Sequence, residues 1–267
     1  MQHSLAAAVL AAGVLILPMP AKAHNVWLLP SSTVLAKAET ITVDAAVSND
    51  LFFFNHVPLA LDNLHILGPD GQRLPAERPH RGKLRSVFDL SVAQPGTYRL
   101  AVINRGVFAS YKLKGENKRW RGAPEALARE IPAEATELLV TESLGRVETW
   151  VTLGKPSVPP PAAQGLELRP VTHPNDLVSG ESARFALLLD GQPASGVEVS
   201  AIRGGTRYRD RPEEMTATTD ARGEFAFTWP QPGMYWLEAS AKDGKVSVPA
   251  AKERRLMYTV TLEVMPQ

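Results

Sequence analysis

The sequence has no cysteine. That excludes disulfides, Cys-ligated zinc, iron–sulfur clusters and a thiol nucleophile. It also lacks an excess of either charge: 29 Lys and Arg face 28 Asp and Glu, a net of +1. General nucleic-acid binding needs a basic surface to displace counterions, so nucleic acid is not an expected partner. Histidine is scarce, and no H-x-x-x-H or H-E-x-x-H spacing occurs. No G-x-S-x-G elbow and no phosphate-binding loop appear either, so the signatures of common hydrolases and NTPases are missing. What is plentiful is proline (22), glycine (19) and apolar side chain (44%). A chain of 267 residues with that composition has material for one or two packed cores and many turns.

Residues Leu5 to Leu17 form an apolar run, followed by Pro18, Pro20 and Ala21-Lys22-Ala23. This pattern reads as a secretory signal peptide over residues 1–23, cleaved after Ala23. The run is short for a membrane span, and no later segment replaces it. The expected compartment is the periplasm, with the protein at most peripheral to a membrane. Cleavage removes one basic residue, Lys22, leaving 28 basic and 28 acidic residues. It also makes His24 the first residue, able to chelate a metal through its α-amine and an imidazole nitrogen together.

Beyond His24 the pattern is alternation. Ile41, Val43, Ala45 and Val47 are apolar, with Thr42 and Asp44 between them, as in a strand with one buried face. Turn signals recur at Gly68-Pro69-Asp70-Gly71, Pro95-Gly96, Asp190-Gly191 and Asp243-Gly244. An internal repeat aligns Gln94-Pro95-Gly96-Thr97-Tyr98-Arg99-Leu100 with Gln231-Pro232-Gly233-Met234-Tyr235-Trp236-Leu237. Phe88, Leu90 and Val92 then align with Phe225, Phe227 and Trp229. The tyrosine just after each turn is placed as in the tyrosine corner of immunoglobulin-like sandwiches. The expected fold class is all-β: two immunoglobulin-like, carboxypeptidase-regulatory-like sandwiches, residues 24–155 and 166–267. A proline-rich linker over residues 156–165 joins them, stiffened by Pro159-Pro160-Pro161. A short helix is expected at Pro124–Glu130, which has proline at its start and good helix formers after it.

The candidate chemistry centres on Asp50-Leu51-Phe52-Phe53-Phe54-Asn55-His56, a loop expected at one end of a sandwich. Three phenylalanines in a loop must pack against something or bind something. Asp50 and His56, joined to His24, supply a carboxylate and two imidazoles for a divalent transition metal. These ligand types do not choose among nickel, copper, cobalt and zinc. The alternative keeps His56 as a hydrogen-bonded loop residue and the phenylalanines as core. His65 reads as a strand residue, His80 as part of a basic solvated loop, and His173 as a turn residue beside Asn175 and Asp176. The basic segment Tyr111–Arg121 carries five cations in eleven residues and reads as a solvated loop.

The stretch Ala23-His24-Asn25-Val26-Trp27-Leu28-Leu29-Pro30 resembles the start of a large bacterial periplasmic family of unknown function. Its members are often labelled nickel- or cobalt-uptake periplasmic components of the NikM-like kind. Asp190-Gly191-Gln192-Pro193, Thr219 through Phe225 and Pro232-Gly233-Met234-Tyr235-Trp236 are similar to the same family. The resemblance implies an exported β-sandwich protein linked to metal uptake, with a role for His24, and the leading reading of the chain is a non-enzymatic periplasmic protein. The expected partners are a metal ion or its carrier, and a membrane receptor or transporter. Two other classes stay open: a docking module without metal, and a copper-dependent oxidative enzyme. The latter would use an N-terminal histidine brace like that of lytic polysaccharide monooxygenases.

Export should leave a chain that begins at His24. Intact-mass measurement of protein recovered from the periplasm is expected to give the mass of residues 24–267.

Overall fold

The computed structural model describes residues 24–162 and 164–267, so the expected signal peptide and its cleavage site lie outside the described residues. The first half runs β1 (Asn25–Pro30), β2 (Val34–Leu35), β3 (Glu39–Ser48), β4 (Val57–Pro58), β5 (Leu64–Leu67), β6 (Arg73–Leu74), β7 (Glu77–Arg81), β8 (Ser86–Val92), β9 (Gly96–Leu113), β10 (Glu116–Gly122), α1 (Pro124–Glu130) and β11 (Thr136–Leu153). The second half runs β12 (Leu166–Pro170), β13 (Ser182–Leu189), β14 (Gln192–Pro193), β15 (Glu198–Arg203), β16 (Met215–Thr218), β17 (Glu224–Thr228), β18 (Gly233–Asp243) and β19 (Glu253–Val264). The architecture is predominantly antiparallel β-sheet, with sheets packed face to face. Helix α1 has the expected bounds, with proline in its first turn.

Among the described residues the strands form three sheets. A five-stranded sheet has the order β1-β3-β8-β7, with β4 also on β3. A four-stranded sheet joins β12, β13 and β14, with β17 also on β13. Between them lies a ten-stranded sheet of order β16-β15-β18-β19-β11-β9-β5-β6, with β10 on β9 and β2 on β11. Its two halves meet where β11 pairs in parallel with β19, from Thr141 opposite Glu253 to Thr149 opposite Thr261.

Strand β11 serves both sides because side chains alternate along a strand. Val147, Val151 and Leu153 point into a core with Ile41, Val43, Phe88, Leu90, Tyr98 and Leu100, beneath the five-stranded sheet. Leu144 and Trp150 point the other way, into a core with Phe185, Phe225, Phe227, Trp229, Tyr235 and Tyr258, beneath the four-stranded sheet. The two smaller sheets thus cover opposite faces of the large one. The second cluster includes two residues that precede the proline-rich segment.

The repeat seen in the sequence is a corner between sheets. Strand β8 leaves the five-stranded sheet, turns at Pro95-Gly96 and enters the large sheet as β9; β17 leaves the four-stranded sheet, turns at Pro232-Gly233 and enters the large sheet as β18. Gly96 and Gly233 have φ of 126° and 132°, a region that side chains disfavour. Each tyrosine closes its corner. Tyr98 Oη donates to the Gln94 carbonyl at 3.0 Å, and Tyr235 Oη to the Gln231 carbonyl at 2.8 Å.

Glu148, on the same face as Trp150, is 0% exposed. Its carboxylate accepts from Trp150 Nε1 (2.7 Å) and Tyr258 Oη (3.1 Å) and pairs with Arg99 (3.0 Å). Arg99 also pairs with Glu167 of β12 at 3.1 Å and donates to the Pro160 carbonyl. Burial alone would push the Arg99 guanidinium down; Glu148, Tyr258 and Glu167 carry it up instead. The proline-rich segment is anchored rather than free-standing. Ser157 N donates to Thr97 Oγ1 at 3.0 Å, and Ala162 N to Glu167 at 2.6 Å.

Removing one partner of a buried ion pair leaves the other charge uncompensated, at a cost of about 3–5 kcal/mol. Glu148→Ala is expected to lose that much in urea unfolding. Hydrogen exchange should accelerate in both halves, because the partners of Glu148 come from both.

Candidate metal-binding corner

Strand β3 is bordered by β1 on one edge and by β8, then β4, on the other. Val47 lies opposite both Val26 of β1 and Val57 of β4. His24 and His56 each lie just outside one of these flanking strands. The pairing brings their rings together past the end of β3, with centroids 3.9 Å apart and planes within 4°. Two histidines separated by more than thirty positions in the sequence thus meet at one corner.

The loop between them is held from three directions. Trp27, 0% exposed, donates its Nε1–H to Ser48 Oγ at 2.8 Å, and that hydroxyl donates to the Asp50 carbonyl at 2.6 Å. Phe52 and Phe54 each lie 5.5 Å from the Trp27 ring. Leu51 joins Trp27, Ala46, Ile202 and Trp236 in a separate apolar cluster. Arg207 stacks over Phe53 at 3.7 Å and Arg85 over Phe54 at 4.4 Å. Phe52 has φ of 59°, a left-handed conformation that side chains rarely adopt. Beside it, Gly204 comes so close that a Cβ there would stand 2.7 Å from Phe52 Cδ2. The phenylalanines therefore pack the loop both onto Trp27 of β1 and onto Gly204 and Arg207 of the second half. Strand β1 is tied to that half as well: Trp236 Nε1 donates to the Val26 carbonyl at 2.9 Å.

Asp50 does not join the histidines in a cluster. Its carboxylate accepts from Asn55 Nδ2 at 2.8 Å, and Asn55 Oδ1 in turn accepts from the Asn49 amide at 2.9 Å. Among the described residues no group of three or more His, Cys, Asp or Glu side chains stands together to hold a metal ion. The identity of the donors suits a borderline divalent cation. Their arrangement does not yet suit it. Imidazole lone pairs lie in the ring plane, and one ion cannot lie in two parallel planes whose ring centres are 3.9 Å apart. One ring must turn before both nitrogens reach the same ion. Both residues are exposed, which leaves that rotation open.

The other histidines lie elsewhere. His65 is on β5, as expected of a strand residue, and burial followed by Arg73 and Arg146 hold its imidazole below the usual range. His80 belongs to edge strand β7 instead of a loop, because its backbone pairs with Val87. His173 accepts the Asn175 amide on Nδ1, the turn role expected of it. Its Nε2 lies 3.0 Å from Thr97 Oγ1 and 3.1 Å from the Ser157 carbonyl, so it also pins the proline-rich segment. The basic stretch Tyr111–Arg121 is a hairpin of β9 and β10 rather than a loop. Lys114 and Gly115, with φ of 53° and 81°, form the tight turn that permits it.

Among the described residues no helix is long and apolar enough to cross a membrane. A family model described as a domain of unknown function (DUF4198) matches residues 21–243. No curated protein matches the chain. The solved D0-D1 domain of intimin aligns over 89% of this chain and 97% of its own, at 14% identity and a TM-score of 0.22. Fibronectin(III)-like modules of Clostridium thermocellum CbhA align over 90% and 94%, at 10% identity and a TM-score of 0.23. Escherichia coli α2-macroglobulin activated by porcine elastase aligns over 91% of this chain and 20% of its own, at 13% identity and a TM-score of 0.24. Similarity at these TM-scores carries no argument about function.

Gly204→Ala is expected to push Phe52 away and release the loop. The expected cost is about 1–3 kcal/mol in urea unfolding, as for other insertions into a packed contact. The nuclear Overhauser contact between the His24 and His56 rings should weaken with it.

Proposed function

The chain belongs to the DUF4198 family, and we propose that it is an exported, non-enzymatic accessory protein of the periplasm that takes up a divalent transition-metal ion. His24 and His56 would hold the ion, with the α-amine of a processed His24 as a third donor. Asp50 would join only by leaving Asn55. The proposal includes a division into units 24–155 and 166–267 joined by residues 156–165, and a membrane receptor or transporter as the onward partner. Two apolar clusters support the division. The shared strand β11 limits how independent the units are.

The observation that carries the metal reading is the ring-to-ring approach of His24 and His56 at 3.9 Å, at the end of a strand clasped by both halves of the chain. Neutral imidazole is the commonest protein ligand for such metals. A bound ion would supply a positive charge and coordination sites at this corner. The protein's own part is to present the two rings, keep Trp27 and the phenylalanines packed beneath them, and hold β1 in place. The docking-module reading has one observation in its favour, the exposed Phe53 ring capped by Arg207.

Titration of processed protein with nickel, cobalt, copper and zinc tests the proposal. His24→Ala, or one residue added before His24, should weaken binding at least about tenfold, more than ~1.4 kcal/mol. The added residue turns the amine into an amide, a poor ligand near neutral pH. His56→Ala should weaken it somewhat less, and His80→Ala should leave it unchanged. Equal affinity for extended and processed chains would remove His24 from the site and favour the docking module.

A further inference from the structure

On the face of the large sheet opposite the five-stranded sheet, β5, β9 and β11 floor a cavity of about 290 Å³. The alternation that sends Leu100 and Val102 into the first core sends Arg99, Ala101, Ile103 and Arg105 to this face. His65 stands opposite Ala101, and Arg146 opposite Ile103. The proline-rich segment closes one side, with Pro160 and Pro161 in the wall.

The charges here do not balance. Arg99, Arg105 and Arg146 line the cavity, and the acids that meet them are Glu148 and Glu167. Arg99 occupies both acids. Arg105 donates only to a neutral amide, Gln164 Oε1, at 2.5 Å. Arg146 is 8% exposed and reaches Glu148 only through a 3.5 Å contact. Its guanidinium makes no other hydrogen bond among the described residues, although such a group carries five N–H donors. The Arg146 nitrogens without a protein partner keep contact with solvent at the cavity, so an entering acceptor can take them in exchange for water.

We propose that this cavity binds a small organic carboxylate, gripped by Arg146 and Arg105 with its apolar body against Ile103, Ala101 and the prolines. The planar guanidinium fork matches a carboxylate or a phosphate equally in geometry. Two features favour the carboxylate. The three arginines lining the cavity exceed its two acids by one charge, which matches a monoanion, and the walls between them are apolar, which disfavours a dianion. Arg73, on β6 beside Leu67, adds positive field from the rim but spends a donor on the Leu64 carbonyl. His65, whose pKa is held down partly by Arg73 and Arg146, is a built-in reporter, because a bound anion would lift it.

The test is nuclear magnetic resonance of the full processed chain, following the His65 ring during titration with butyrate and, separately, inorganic phosphate, at constant chloride. Butyrate is expected to shift the resonance saturably and to raise the His65 pKa. Arg146→Gln should weaken binding about tenfold or more, in line with loss of a charge-assisted hydrogen bond. Arg105→Gln, at a site that makes no ion pair and so leaves the fold intact, should weaken it by a smaller factor. Arg119→Gln, on the distant hairpin, should leave it unchanged. A linear, unsaturable shift, or equal binding by the wild-type and Arg105→Gln chains, would overturn the site. Tighter binding of phosphate than of butyrate would overturn the carboxylate assignment.

Discussion

The carboxylate of Glu148 has no access to water, and the rest of the structure is arranged around that fact. An isolated ion at such a depth would cost far more than a domain's whole stability margin. It persists because β9 brings Arg99, β11 its own Trp150 and Arg146, and β19 Tyr258. Arg99 then needs a second acid, which β12 supplies as Glu167, and Glu167 in turn accepts the Ala162 amide. One buried charge thus fixes the parallel register of β11 on β19, the position of β12 and the course of the proline-rich segment. An apolar core could match its stability. Apolar packing alone would not specify which strand lies beside which.

Strand β11 makes this arrangement possible because it has two buried faces. Val147, Val151 and Leu153 fill one core, and Trp150 with Leu144 help fill the other. The corner with His24 and His56 inherits its rigidity from the same junction. Strand β1 lies against both β11 and β19, and its Val26 carbonyl accepts from Trp236 and from Thr259 at 3.3 Å. An N-terminal strand with no tertiary anchor would fray. This one is clasped by the second half of the chain, so the exposed His24 starts from a fixed point.

Much of this was legible in the sequence. The repeat marked the two sheet-to-sheet corners, because a P-G turn with a tyrosine two residues later requires one backbone geometry, and both tyrosines close it. Alternation in Ile41–Val47 gave β3 its buried face, and the helix at Pro124–Glu130 followed from its first-turn proline. The meeting of His24 with His56 was proposed from residue type alone, and the pairing of β3 with two flanking strands brings it about. The shared sheet was hidden, since parallel pairing of strands more than a hundred positions apart leaves no local signal. The buried ion network is not read from the sequence, although Arg99 leaves a trace by interrupting the apolar run from Tyr98 to Val102, all of whose members are buried. Charged residues in such settings are almost never inside without partners. His80 misled for the opposite reason. Its basic neighbours looked like a solvated loop, but an edge strand also leaves side chains in water.

The two candidate sites lie on opposite faces of the large sheet and draw on different terms. The histidine corner depends on exposed rings that are free to turn, above a floor of packed aromatics. The cavity depends on one guanidinium, Arg146, held against Glu148, and on a second, Arg105, that is exposed and bonded only to Gln164. A ligand at the corner must turn a ring to induce its geometry, whereas a ligand in the cavity finds Arg146 already in place and has only Arg105 to order. Preorganised sites lose less free energy to ordering on binding. The cavity therefore has the stronger physical claim to a resting occupant, and the corner to an occupant that is taken up and released. Both rest on the same strand order, so a change that loosens β11 from β19 would be felt at each. A change confined to one face would leave the other as it was.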